Sequence, residues 1–377
     1  MNNIDLYQQI RPLLEVEQYR ERYRYTNMAE MLAPNYGIML PRYTFKGAPY
    51  VYATADAPID IAPYYNTIAD NADPATALNN AYNPTPIVIY VPKGEKAKQP
   101  IRIENTLAGD IDTMIIRRVL IIMEPNSEAT VLFVDHATGQ RMYLTSQVIE
   151  VFCADGAHLD MYDMEETTLN CRRLNNLYIA AGRNAEVRHN AITLSNGTSR
   201  NAIDVMLNGE GADVTLNGAV IADRQQHVDN NTLVTHAVPG CTSRELYKYV
   251  IDDQAVGAFA GRILVNEGAQ QTASQMTNNN MCASNEARMY TQPMLEIYAD
   301  DVKCAHGSTV GVMDEAALFY MQQRGIDLET ARTLLKNAFI AQVMDEMKWE
   351  SFRDRLTILI DKRLSKEERC GTCKICK

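Results

Sequence analysis

The chain has 377 residues, above the size at which a single hydrophobic core usually stops growing, so two or three structural units are expected. Its 36 basic and 47 acidic residues give a formal charge of −11, which repels polyphosphate and argues against a nucleic-acid partner. No run approaches the roughly 18 consecutive apolar residues of a membrane span, and the opening M-N-N-I-D-L-Y-Q-Q-I lacks the basic-then-apolar signature of a secretory signal, so a cytoplasmic protein away from membranes is expected.

Residues 1–85 read as helical and irregular. The stretch from Tyr7 to Tyr23 is rich in good helix formers, with Pro12 placed for a helix start or a kink. Between Arg42 and Pro86, Tyr, Asn, Pro and Ala follow no steady period. From residue 86 the texture changes. Ile87–Val91, Ile115–Met123 and Ala129–Val134 are short β-branched runs punctuated by Gly, Asn, Asp and Pro, which are strand signals.

A repeat underlies these strands. S-E-A-T-V, D-G-A-H-L, R-N-A-E-V and E-G-A-D-V align on Ala129, Ala157, Ala185 and Ala212, at spacings of 28, 28 and 27 residues. Pro239-Gly240 and Ala269 continue the series. A period in the twenties made of strands and turns is a solenoid signature. The expectation is a mainly β chain: a right-handed parallel β-helix over residues 86–313, with helical regions before and after it. The competing arrangement is a large antiparallel sandwich with coincidental turn spacing.

At residue 314 the period becomes helical. Leu328, Ala331, Leu335, Ala338 and Phe339 follow steps of three and four, as do Trp349, Phe352, Leu356, Leu359 and Ile360. Asp314 and Asp327 suit the N-cap position. Residues 314–364 therefore read as two or three helices, and 365–377 as a cysteine-containing tail.

Three clusters could carry chemistry. Cys304 and His306 stand two apart in an extended segment, so a thiol and an imidazole share one face. Both are soft or borderline ligands for iron, although on spacing alone a buried thiol beside a hydrogen-bonded imidazole is the commoner arrangement. In the tail, Cys370, Cys373 and Cys376 form C-x2-C-x2-C, which could hold zinc or a cluster with one outside ligand, or remain a reactive tail. The eight cysteines of such a leaderless chain read as thiols or metal ligands rather than disulfides. His227, Asp229 and His236 could serve acid–base chemistry in a β-helix polysaccharide lyase or esterase; the alternative is an asparagine ladder at solenoid turns, with a histidine on each side. Arg141, Arg172, Arg173, Arg183, Arg188 and Arg200 are dispersed and read as solvated faces. There is no G-x-x-x-x-G-K-[ST], so ATPase activity is not expected of this chain.

Six ordered blocks carry a family resemblance. They are Q-H-V-D-N-N-T-L-V-T-H from Gln226, S-R-E-L-Y-K-Y-V from Ser243, G-A-F-A-G-R-I from Gly257, A-Q-Q-T from Ala269, Q-P-M-L-E-I-Y-A-D-D-V-K-C-A-H-G-S-T-V-G from Gln292 and L-F-Y-M-Q-Q-R-G-I from Leu318. Together they resemble the SufB/SufD family of iron–sulfur cluster assembly scaffolds, and L-N-N-A-Y-N-P-T-P-I-V-I-Y-V-P-K-G from Leu78 resembles its entry into the solenoid. Two positions favour the SufD branch: Asn278 stands where SufB has a cysteine, and His306 where SufB has a glutamate. The resemblance implies a non-catalytic scaffold that pairs with a SufB-like subunit and docks a SufC-like ABC ATPase. It places Val302, Lys303, Cys304 and His306 at the SufB-like interface, with His306 and then Cys304 as ligands for a transient cluster or iron. It places Leu318, Phe319, Tyr320, Arg324, Gly325 and Phe339 in the ATPase-docking region. No tightly bound cofactor is implied for the isolated chain, and the same solenoid edge could pair two copies as a homodimer. The cysteine tail is no part of the family pattern.

Overall fold

The computed structural model describes residues 3–40 and 49–365. Four short helices open the chain: α1 Asn3–Leu14, α2 Glu17–Arg22, α3 Met28–Leu32 and α4 Pro74–Asn80. Two three-residue strands, β1 Gly37–Met39 and β2 Val51–Ala53, lie within the stretch read as helical and irregular. Pro12 falls in the last turn of α1 rather than at its start.

The solenoid follows. Its strands are β3 Ile87–Val91, β4 Ile101–Leu107, β5 Thr113–Met123, β6 Glu128–Ala137, β7 Tyr143–Cys153, β8 His158–Glu166, β9 Cys171–Ala181 and β10 Glu186–Ser195. It continues through β11 Thr198–Leu207, β12 Asp213–Ala222, β13 His227–His236, β14 Thr242–Ile251, β15 Val256–Val265, β16 Thr272–Cys282, β17 Arg288–Ile297 and β18 Val302–Val312. From β3 onward, each strand pairs in parallel with the next but one, and β2 adds to the free edge of β3 in antiparallel fashion. Odd-numbered strands build one sheet and even-numbered strands the other, giving a parallel β-helix of about eight turns.

Three alanines of the repeat mark one corner of successive coils. Ala157, Ala185 and Ala212 are buried in register, Cys241 takes the next place and Ser127 the one before, whereas Ala129 lies two residues farther on, inside β6 and opposite Leu159. The backbone passes hydrogen bonds from coil to coil here: Glu186 N–H donates to Ala157 O, Asp213 N–H to Ala185 O and Thr242 N–H to Ala212 O, each at 2.9 Å. Asn126 and Asn184 hold positive φ at neighbouring corners, a conformation that asparagine tolerates better than most residues.

Alternate residues point into the lumen, where Ile121, Val151, Leu159, Val187, Val214, Phe259 and Ile263 form one continuous core. Polar groups also lie inside. Arg117 grips Asp135 at 2.5 and 2.7 Å, and Arg173 donates to Asp163. Burial works against Asp135, but the two guanidiniums hold its carboxyl down to about 2. Arg173 is therefore an interior residue, not part of a solvated face. Arg200 also departs from that reading: on the outer face of β11 it is fully buried, bonded to Asp229 and placed 4.0 Å from the centre of the Tyr23 ring. The asparagine ladder is real but sits within strands rather than at turns, with Asn201 donating to Asn230 at 3.0 Å.

Both outer faces are covered along most of the solenoid. Tyr19, Tyr23, Met28, Met31 and Leu78 from the N-terminal helices pack on Met114, Ile116, Leu144 and Leu174 of the odd sheet. Three C-terminal helices follow the last strand: α5 Glu315–Gln323, α6 Leu328–Asp345 and α7 Glu350–Leu364. Asp314 caps α5 by accepting from Ala316 and Ala317, and Asp327 caps α6 by accepting from Thr330. Ile340, Val343, Phe352, Leu356 and Ile360 of α6 and α7 cover Leu132, Tyr162, Ile192 and Ile221 of the even sheet. Covered on both faces, β5 is buried at every one of its 11 residues, as expected of parallel strands between two layers. Among the described residues, no helix is long and apolar enough to cross a membrane.

One buried pair ties the N-terminal layer to the solenoid. Arg118 and Glu150 are both fully buried and meet at 2.6 Å, while Glu150 also accepts from the backbone N–H of Asn66, Thr67 and Ile68. Removing the cation strands a carboxylate in a dry site. Arg118→Met is expected to cost about 3–5 kcal/mol, read as a lowered denaturant midpoint in equilibrium unfolding.

Candidate functional site

The solenoid ends without a cap. β17 pairs only with β15, and β18 only with β16, so each leaves one hydrogen-bonding edge unpaired. Neither strand has a single buried residue, unlike the solenoid strands β3 to β16 before them. Exposed apolar side chains gather at this end: Tyr290, Ile297, Tyr298, Val310 and Val312. A long, open edge of this kind is a template for another strand, and isolated proteins ordinarily protect it.

Cys304 and His306 lie on β18. Their strand neighbours on β16 are Ser274 and Met276, both buried and inward-facing. Val302 and Cys304 pack on the lumen core, while His306 continues the same face but is exposed. Its ring makes no hydrogen bond or ion pair with any described residue, so both nitrogens are open to an external partner. Cys304 is half-buried, and burial pushes its thiol pKa up, opposed by a backbone hydrogen bond from Ser274. Alone, therefore, Cys304 is a poor thiolate, and a bound cation would be needed to bring it down. Lys303 points to the opposite, solvent side. Farther along the face, Ser308 and Thr291 exchange a hydrogen bond of 2.7 Å that closes the gap between the two terminal strands.

The other residues singled out in the sequence are distributed differently. Asp229 is on the outer face, held at 2.5 Å by Thr26 and at 3.0 Å by Arg200. His236 is on the inner face, hydrogen-bonded to Ser243 at 2.9 Å, and burial drives its pKa down to about 4. His227 shares the outer face with Asp229, so the three residues form no common site. Cys370, Cys373 and Cys376 lie outside the described residues. Among the described residues, no group of three or more His, Cys, Asp or Glu is placed to hold a metal ion. The pair on β18 thus offers two donors and no more among the described residues. The described cysteines, Cys153, Cys171, Cys241, Cys282 and Cys304, are all free thiols.

α5 adjoins this end of the solenoid and buries none of its residues. Phe319 and Tyr320 are 63% and 59% exposed, with Arg324 donating to the Tyr320 hydroxyl. Leu318 is half-buried. Gly325 takes φ +86° and ends the helix, its N–H bonding back to Gln322 O and that of Ile326 to Met321 O. Its glycine is thus explained by the left-handed helix stop. Phe339 differs from the exposed pair: it is half-buried on α6 beneath the ammonium of Lys248, 4.3 Å from the ring centre.

One lumen residue carried no sequence signal. Glu245 on β14 is buried, faces no cation among the described residues, and has only the Thr232 hydroxyl across the lumen as a polar side-chain partner.

The fold and its open end define a class: a parallel β-helix protein with a bare final coil, an imidazole on that coil that no described residue partners, and an exposed helix beside it. Comparison with known proteins gives this class a family. Residues 105–339 match the family described as "SUF system FeS cluster assembly, SufBD core domain". The iron–sulfur cluster assembly protein SufD of Escherichia coli is 30% identical over 281 residues, 73% of this chain and 66% of that protein. A SufBD family protein of Synechocystis is 26% identical over 305 residues, 78% of this chain and 67% of its own length. SufD of Bacillus subtilis is 24% identical over 293 residues, 77% of this chain and 66% of that protein. The chain therefore belongs to the SufBD family, and spans about two thirds of the length of these relatives.

Glu245 makes a stability prediction. Burial raises its pKa from 4.5 to about 7, opposed only by Thr232 across the lumen. A raised acid means that the folded state binds more protons than the unfolded state between these values. Its contribution is present below the unfolded pKa and lost as pH rises through about 7. Glu245→Gln is expected to add on the order of 3 kcal/mol at pH values above neutrality and little in mild acid. Urea denaturation of both proteins across that range measures the difference.

Proposed function

We propose that this chain is a SufD-type scaffold subunit for iron–sulfur cluster assembly. The open edge of β17 and β18 pairs with a SufB-like subunit, by the strand-addition chemistry that exposed sheet edges favour. The surface of α5, with Phe319 and Tyr320 outermost, docks a SufC-like ABC ATPase. The observation carrying this reading is the last coil: two unpaired strands, with His306 free to meet a ligand and too few donors to hold it alone.

In this reading iron or a nascent cluster is cargo, held between the two scaffold subunits. His306 offers a ring nitrogen, and Cys304 supplies a second donor once a cation lowers its pKa. The half-buried setting of Cys304 restrains its ionisation before loading. The ATPase provides the work of assembly; this chain supplies position and ligands. The lyase or esterase alternative loses support because His227, Asp229 and His236 fall on opposite faces of β13, with Asp229 closed over by the N-terminal segment.

Cluster reconstitution on the chain, its SufB-like partner and the ATPase tests the reading. His306→Ala is expected to leave the assembly intact and lower cluster yield by about tenfold or more, the scale on which metal sites respond even to loss of a supporting partner. Unchanged yield removes His306 from the ligand set, and a chain that co-purifies with neither subunit overturns the scaffold reading.

A further inference from the structure

The last three coils align one inward-facing file: Glu245 on β14, Met276 on β16 and His306 on β18. Met276 fills the space between the other two, with its sulfur so close to Gly261 that an added Cβ there would lie 2.5 Å from it. Two strand spacings separate Glu245 from His306, about 10 Å.

Glu245 stands apart from the other enclosed acids. Asp135 faces Arg117, Asp163 and Glu165 face Arg173, Glu150 faces Arg118 and Asp229 faces Arg200, while Asp73, without an ion pair among the described residues, accepts hydrogen bonds from Tyr23, Asn176 and the first backbone N–H groups of α4. Around Glu245, the inward positions are Ser243 and Tyr247 on its own strand, Leu216 on β12, Met276 on β16, Thr232 on β13, and Phe259 and Gly261 on β15. None of these is cationic. The titratable groups nearby are Tyr247, Tyr249 and His236; Tyr249 is hydrogen-bonded to Asn230 and His236 to Ser243. A carboxyl with no cation and only a hydroxyl across the lumen is an expensive occupant of a dry core, where an apolar side chain would serve packing better. On the other side, beyond Leu216, His189 of β10 is equally distant in the same file, and burial drives its pKa down to about 4, so positive charge arrives along the file at the open end, at His306.

We propose that Glu245 is a charge-compensating acid for the cation held at His306: its neutral carboxyl gives up a proton to solvent when the cation binds, leaving a carboxylate beneath the site. The step balances without a redox partner. The O–H bond breaks, the electron pair stays on the carboxylate, and one proton leaves to solvent as the divalent cation enters. Met276 keeps the acid out of the ligand shell, so its effect is through space. At about 10 Å and an effective dielectric near 20, a divalent charge shifts such an equilibrium by a factor on the order of a hundred. The inference rests on the reading of His306 as a ligand.

The test is anaerobic titration of the full chain, with its SufB-like partner present, using ferrous ion in weakly buffered solution slightly below neutrality. Proton release and ferrous affinity are read together. Wild type is expected to release about half a proton to one proton more per iron than Glu245→Gln. Above neutrality, Glu245→Gln is expected to bind ferrous ion at least about tenfold more weakly. Glu245→Asp, which keeps an acid in the file, should retain the release. Equal proton release and equal affinity in wild type and Glu245→Gln overturn the proposal. His306→Ala separates the two claims. If it loses ferrous ion while Glu245→Gln behaves as wild type, the ligand reading stands and the compensating role falls. If His306→Ala binds as tightly as wild type, both fall.

Discussion

Backbone hydrogen bonds in a parallel β-helix run from coil to coil, and they stop only where the next coil is missing. That constraint organises this protein. Each strand from β5 to β16 spends its N–H and C=O groups on the coil before and the coil after. The terminal strands β17 and β18 spend half of theirs, and the rest face outward. The site residues gain their position from this ending: His306 lies on the inward face of a strand that has nothing stacked above it.

The covering layers make the ending specific. The N-terminal helices shield the odd sheet and the C-terminal helices shield the even one, so most strands are buried on both faces. The N-terminal layer nevertheless reaches the last coil, where Tyr25 stacks on Tyr290 of β17 at 4.7 Å. It therefore braces the edge strand from outside while leaving its hydrogen-bonding side open. At the other corner of that coil the chain leaves into α5, whose side chains remain exposed. Edge, imidazole and helix thus meet at one end of an otherwise covered molecule.

Much of this was legible because it is periodic or chemical. Ala157, Ala185 and Ala212 marked the coil corners, because a small side chain is what a tight stack of bends admits, while Ala129 fell two residues past its corner, which Ser127 occupies. Asp314 and Asp327 announced the helix starts, as each carboxylate satisfies N–H groups that the first turn leaves free. Cys304 and His306 were found from spacing and resemblance. The interior polar groups were not legible. Arg173 and Arg200 look like any surface arginine in the sequence, since what distinguishes them is a carboxylate across the lumen, Asp163, or on the next coil, Asp229. Glu245 follows the same logic: its isolation is a property of the stack, set by Leu216 before it and Met276 after it, 29 and 31 residues distant. The N-terminal region was opaque because its helices are short and take their stability from packing rather than from a period of their own.

The central claim is that the bare edge of the last coil is where this chain meets its partner. Amide hydrogen exchange along β18 tests it most directly, comparing the chain alone with the chain bound to a SufB-like subunit. The account predicts that the unpaired amides of residues 302–312 exchange readily alone and become strongly protected in the complex, while β5 to β9 are unchanged. Unaltered exchange in β18, with protection appearing on another face, would contradict it.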